Sequence, residues 1–112
     1  MQNLSEQNCH DIAGDSPALG RADADSYLQQ LDEEWSLSPE GKTIQRTFSF
    51  SNYYETMAFA NVAAMVAHQQ DHHPDMTISY NRCHIVYSTH SVDGLSLNDF
   101  ICAAKTDNTL SL

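Results

Sequence analysis

The sequence predicts an α+β fold: a two-layer sandwich with a four-stranded antiparallel sheet and helices packed on one face. Three observations predict it. Two pairs of short β-prone segments, Trp35–Phe50 and Met76–Thr89, each fold back through a turn. Segments with helical spacing precede, separate and follow those pairs. The chain is 112 residues long, 41% hydrophobic and 18% charged, the size and balance of one globular domain. Hairpins place their strands side by side, so the intervening helices gather on one side of the sheet.

The elements follow in order. Residues 1–22 hold Gly14, Pro17 and Gly20 among scattered polar residues, without a sustained period. They read as a flexible or loosely docked acidic segment, leaving 23–112 as the folded domain. Asp23 or Asp25 caps a short helix with Tyr27, Leu28 and Leu31 on one face. Trp35 to Leu37 reads as a strand, ended by the turn-rich run Ser38-Pro39-Glu40-Gly41. From Thr43 to Phe50, Ile44, Phe48 and Phe50 alternate with Thr43, Gln45, Thr47 and Ser49, and Arg46 is the one misfit.

Asn52 with Glu55 forms a capping box that opens the long helix. Ala58, Val62, Met65, Val66 and Gln69 recur along it at helical spacing, and Pro74 stops it by about residue 72. Met76–Tyr80 and Cys83–Thr89 are strands around a turn at Asn81-Arg82. Asp93-Gly94 breaks the chain. Ser96 with Asp99 is a second capping box, and it begins a helix with Leu97, Phe100, Ile101 and Ala104 facing inward.

Charge excludes several functions. Fifteen acids against five bases give −10, which argues against direct nucleic-acid binding and against docking on anionic membranes. Residues 1–40 hold nine acids and one base, so most of the charge lies ahead of the second strand as a solvated tail and helix face. No apolar run approaches the ~18 residues of a membrane span, and no signal-peptide pattern opens the chain. Cys9, Cys83 and Cys102 are widely spaced and include no CxxC, which fits a reduced, cytoplasmic protein better than a disulfide scaffold.

Five of the six histidines lie within 68–90: His68, His72, His73, His84 and His90. His68 and His72 share a face if the helix persists that far. His72 and His73 stand where Pro74 ends the helix, and His90 where the last strand runs out. Such ends are where sites are assembled. His84 alternates with Ile85 and reads as a solvent-facing sheet residue, and His10 has no evident function. Two chemistries are open. His68, His72, His73, His90 and Asp71 offer enough ligands for zinc, but the Glu of HExxH is missing and no cysteine has ligand spacing. Imidazoles also titrate near neutrality, which suits cofactor-free acid–base catalysis slightly better.

Asp71-His72-His73-Pro74, Tyr80-Asn81, Ser88-Thr89-His90, Gly94-Leu95-Ser96 and Asp99 resemble the pterin-4a-carbinolamine dehydratases. The resemblance covers about residues 25–108, and the ending from Asn98 to Asp107 looks most like bacterial members linked to phenylalanine hydroxylase. It implies a lyase that removes water from 4a-hydroxytetrahydrobiopterin to give quinonoid dihydropterin, recycling the cofactor of aromatic amino acid hydroxylases. It implies no metal and no organic cofactor, and self-association into dimers or tetramers. By motif position His72, His73 and His90 carry over as the catalytic trio, with Asp71, Ser88, Thr89 and His68 at the substrate. His68 stands where family members often have an acid, and Met76 where they often have Trp. The family also implies a competing class: a non-catalytic binding or assembly module, since animal relatives bind a homeodomain transcription factor and others are linked to Rubisco assembly.

Overall fold

The computed structural model describes residues 3–111; residues 1, 2 and 112 of the expected segments lie outside them. Among the described residues are three α-helices, α1 (Arg21–Leu28), α2 (Tyr53–Gln70) and α3 (Leu97–Asn108), and four strands, β1 (Ser36–Leu37), β2 (Ile44–Ser49), β3 (Asp75–Ile78) and β4 (Arg82–Tyr87). The strands form one antiparallel sheet in the order β1-β2-β4-β3. The α+β architecture read from the sequence is therefore present.

Register explains the core. Ile44 pairs with Tyr87, Arg46 with Ile85 and Phe48 with Cys83, so these side chains share one face of the sheet. Met76 and Ile78 join that face from β3. On the other face Thr47 pairs with His84, and the Thr47 hydroxyl lies 2.7 Å from His84 Nδ1. His84 is thus a sheet-surface residue, as its alternation with Ile85 indicates. The inward face meets Phe59, Ala60 and Ala63 of α2 and Phe100, Ile101 and Ala103 of α3.

Arg46, the misfit in the β2 pattern, points into the core side. Its guanidinium donates to Asp107 at 2.9 Å, lies 3.6 Å from Asp32 and sits 4.4 Å over the Phe48 ring. The Trp35 indole N–H donates to the same Asp107 carboxylate at 2.9 Å. The long helix carries a second apolar series besides the one noted in the sequence. Its buried residues are Thr56, Phe59, Ala60, Ala63 and Ala67, whereas Ala58, Val62, Met65 and Gln69 face outward. Small alanines let α2 lie close on the sheet, so the bulkier apolar series takes the opposite side.

Helix termini differ in detail. Gly20, not Asp23 or Asp25, is the N-cap of α1. Asn52 Oδ1 accepts the Glu55 N–H at 2.9 Å, but the Glu55 carboxylate reaches back to the Ser51 N–H. The N-terminal segment lies against α3: Leu4 is buried, Lys105 donates to the Ser5 carbonyl at 2.9 Å, and the Leu19 N–H donates to the Leu95 carbonyl at 2.8 Å. Gly94 permits this approach, since a Cβ there would sit 2.9 Å from Ala18 Cβ.

Candidate active site

The site begins with the way α2 ends. Asp71 adopts the left-handed conformation, φ 50° and ψ 43°. Its N–H donates to the His68 carbonyl at 3.2 Å, and the His72 N–H donates to the Ala67 carbonyl at 3.1 Å. These two bonds form a Schellman motif, with Asp71 in the position usually held by glycine. Asp tolerates that conformation better than most residues. The helix therefore stops at Gln70, ahead of Pro74. His68 and His72 do not share a helical face: His68 stays exposed on α2, while the turn sends His72 inward.

There His72 Nε2 lies 2.6 Å from Asp99 Oδ1, with only 12% of the His72 side chain exposed and none of Asp99. The imidazole stacks on the Tyr87 ring, centroids 5.9 Å apart and planes 6° from parallel. β4 supplies the next partner. Its inward alternation of Cys83, Ile85 and Tyr87 continues to Thr89, which is buried at the N-terminus of α3. The Thr89 hydroxyl donates to Asp99 Oδ2 at 2.8 Å and lies 2.7 Å from the Ser96 hydroxyl. The Ser96 N–H donates to the same Oδ2 at 2.9 Å. Asp99 thus holds three donors, closing the capping box with one oxygen and the histidine with the other.

Electrostatics follow from this arrangement. Burial works against the charged form of His72, but the hydrogen bond and charge of Asp99 outweigh it, and the imidazole pKa is raised. With Nε2–H pointing to the carboxylate, the neutral ring presents Nδ1 as its basic nitrogen. Tyr87 cannot share in proton transfer near neutrality, because burial pushes its phenol far up.

The other residues singled out in the sequence lie around this network. Thr89 and Gly94 pair across a short loop, the Thr89 N–H donating to the Gly94 carbonyl at 2.7 Å. His90 opens a 3-10 turn within that loop and is exposed. His73 and Asp71 are exposed beside His72, and Ser88 is half-buried. Met76 packs against the core from the inward face of β3. Among the described residues no three His, Cys, Asp or Glu side chains are placed to hold a metal ion. A hollow of about 510 Å³, lined by Leu4, Gln30, Leu31, Asp32, Ala104 and Asp107 among others, lies at the C-terminal end of α3, away from Asp99. Sequence spacing alone hides Asp99 as a site candidate: three residues after Ser96, it reads as a helix cap.

A model of the pterin 4 alpha carbinolamine dehydratase family matches residues 17–109. The chain belongs to this family. A Nitrosomonas eutropha protein, provisionally named pterin-4-alpha-carbinolamine dehydratase, is 50% identical over 96% of this chain and 94% of its own length. A Nitrosospira multiformis protein of the same provisional name is 45% identical over all of this chain and 96% of its own. The crystal structure of a Brucella melitensis transcriptional coactivator/pterin dehydratase superposes with a TM-score of 0.76 at 28% identity, covering 81% of this chain and 96% of that one. A pterin dehydratase-like RuBisCO assembly factor of the α-carboxysome shares the fold, with a TM-score of 0.59 at 18% identity over 68% of this chain and 88% of that one. Dehydratases of this family are hydro-lyases, and the chain is an enzyme of that class. Among the described residues no helix is long and apolar enough to cross a membrane.

Proposed function

We propose that the chain dehydrates a 4a-hydroxytetrahydropterin to quinonoid dihydropterin and water by histidine acid–base catalysis, and so recycles the pterin cofactor of an aromatic amino acid hydroxylase such as phenylalanine hydroxylase. The observation that carries this reading is the His72–Asp99 pair at 2.6 Å, beside the Thr89-His90 loop. The reaction breaks the C4a–O bond. One proton leaves ring nitrogen N5 and one joins the departing hydroxyl as water, so no redox partner is needed. His72, made more basic by Asp99, takes the N5 proton through Nδ1. His90 gives a proton to the leaving hydroxyl, and His73 binds and polarises that hydroxyl. Asp71 and Ser88 contact the pterin edge, whereas Thr89, expected there from the resemblance, is buried with its hydroxyl on Asp99 and acts through that carboxylate. His68, exposed in the last turn of α2, is assigned to the substrate with Asp71 and Ser88.

Self-association is part of the proposal. Val62 and Met65 expose apolar surface on the outward face of α2, at 39% and 56%, and a second copy of the chain is the expected cover. The competing role, a non-catalytic coactivator-like module, is favoured only by the description of the Brucella protein. It would not require His72, His73 and His90 together.

The deciding experiment follows decay of 4a-hydroxypterin absorbance in a coupled hydroxylase assay, with and without the protein. Acceleration by the wild type that His72→Ala abolishes supports the enzyme. An unchanged decay rate refutes it. A His90→Ala variant of full activity would remove His90 from the scheme.

A further inference from the structure

Two cysteines 93 positions apart in sequence meet in the fold. Cys9 Sγ lies 3.4 Å from Cys102 Sγ. The contact is built by side chains on either side of Cys9. Gln70, the last residue of α2, accepts the Cys9 N–H at 2.8 Å and donates to the Asn8 side chain at 3.1 Å. Asn98, in the first turn of α3, accepts the His10 N–H at 3.1 Å and donates to the His10 carbonyl at 2.7 Å. Two amide side chains thus grip residues 8–10 and aim Cys9 at Cys102, one helical turn from Asp99. We propose that Cys9 and Cys102 form a redox modification site: a dithiol that a peroxide converts to an intramolecular disulfide, fastening the N-terminal segment to α3.

The two thiols differ as an attacking and a resolving thiol should. Cys9 is half-buried and open to a small oxidant, whereas Cys102 is buried. A hydrogen bond from the Cys102 thiol favours the Cys9 thiolate, lowering the Cys9 pKa, and the same bond together with burial pushes Cys102 up. The chemistry balances. The Cys9 thiolate attacks hydrogen peroxide, breaking the O–O bond and giving a sulfenic acid and hydroxide. The Cys102 sulfur then attacks the sulfenic sulfur, its proton leaving with the displaced hydroxyl as water. Two thiols lose two electrons, and one peroxide becomes two waters. Bond formation requires the sulfurs to approach by about 1.4 Å, within reach of side-chain rotation. Cys83 is excluded from the pair by its place on the inward face of β4, in register with Phe48 and Ile78.

The test treats the full-length wild-type protein with equimolar hydrogen peroxide, alkylates the remaining thiols and maps peptides by mass spectrometry. The expected product is a Cys9–Cys102 linked peptide within one chain, with one alkylated thiol left at Cys83. Because the bond closes a ring of about 90 residues, Tm should rise on the order of 10 °C and fall back with dithiothreitol. Cys9→Ser should abolish both the linkage and the shift, and Cys83→Ala should preserve both. A linkage through Cys83, a linkage between chains, or over-oxidised Cys9 beside an unmodified Cys102 would overturn the proposal. The peptide map of the wild type decides the question even if a variant folds poorly.

Discussion

His72 Nε2 meets Asp99 Oδ1 at 2.6 Å across 27 residues of sequence, joining the end of α2 to the start of α3. The contact couples folding to chemistry. The carboxylate is fully buried, so it needs its three donors, and one of those donors is the imidazole proposed to move a proton.

Asp99→Asn is expected to leave the fold largely intact while weakening His72 as a base. The amide cannot stabilise an imidazolium, and it can favour the wrong tautomer. A fall in kcat of about 10²-fold or more is expected, with KM little changed. The limb of the pH–rate profile set by His72 should move to lower pH, because the group that raises its pKa is gone. A profile of unchanged midpoint would argue that Asp99 is only a helix cap.

Stability should carry the mark of the same pair. The folded-state pKa of His72 lies above the unfolded value of 6.5. Its stabilising contribution is therefore fully present below about pH 6.5 and is lost as pH rises through the folded-state value. Urea unfolding across pH 5.5 to 8.5 should show this loss in the wild type, and His72→Gln should flatten it.

Asp107→Ala should destabilise without touching catalysis. The substitution strips a largely buried Arg46 guanidinium of its 2.9 Å partner and leaves the Trp35 indole N–H unpaired. A loss of about 2–4 kcal/mol is expected from urea melts, Asp32 keeping part of the Arg46 interaction. The dehydration rate of the folded fraction should stay at the wild-type value, since Asp107 lies two turns of α3 beyond Asp99.

Ala63→Leu should be poorly tolerated, because Ala63 is fully buried where α2 meets the sheet. Overpacking there is expected to cost about 1–3 kcal/mol, read as a lower urea midpoint. Val62→Asp on the opposite face should leave the folded subunit stable and, on the proposal of a second copy against α2, shift its mass in solution toward the monomer. An unchanged mass distribution would remove that face from the assembly.

Local pattern alone determined much of this protein. Alternation in β2 placed Ile44 and Phe48 on one face, because the side-chain period of a strand is a backbone property. The caps at Asn52 and Ser96 were legible for the same reason: their hydrogen bonds span three residues. The His72-His73-Pro74 and Ser88-Thr89-His90 elements marked the family.

Tertiary structure decided the rest. Periodicity on α2 showed an apolar series, but which series faces the sheet depends on how closely the helix can approach, and the alanines settled it. Arg46 looked like a misfit until Asp107, 61 residues away, supplied its charge partner. Asp99 looked complete as a cap until the left-handed turn at Asp71 delivered His72 to its second oxygen. Cys9 and Cys102 had no shared motif, and Gln70 and Asn98 brought them together. The last three are polar or sulfur contacts between residues far apart in sequence. Such a group needs a partner once it is buried, and where that partner lies is settled only when the chain has folded.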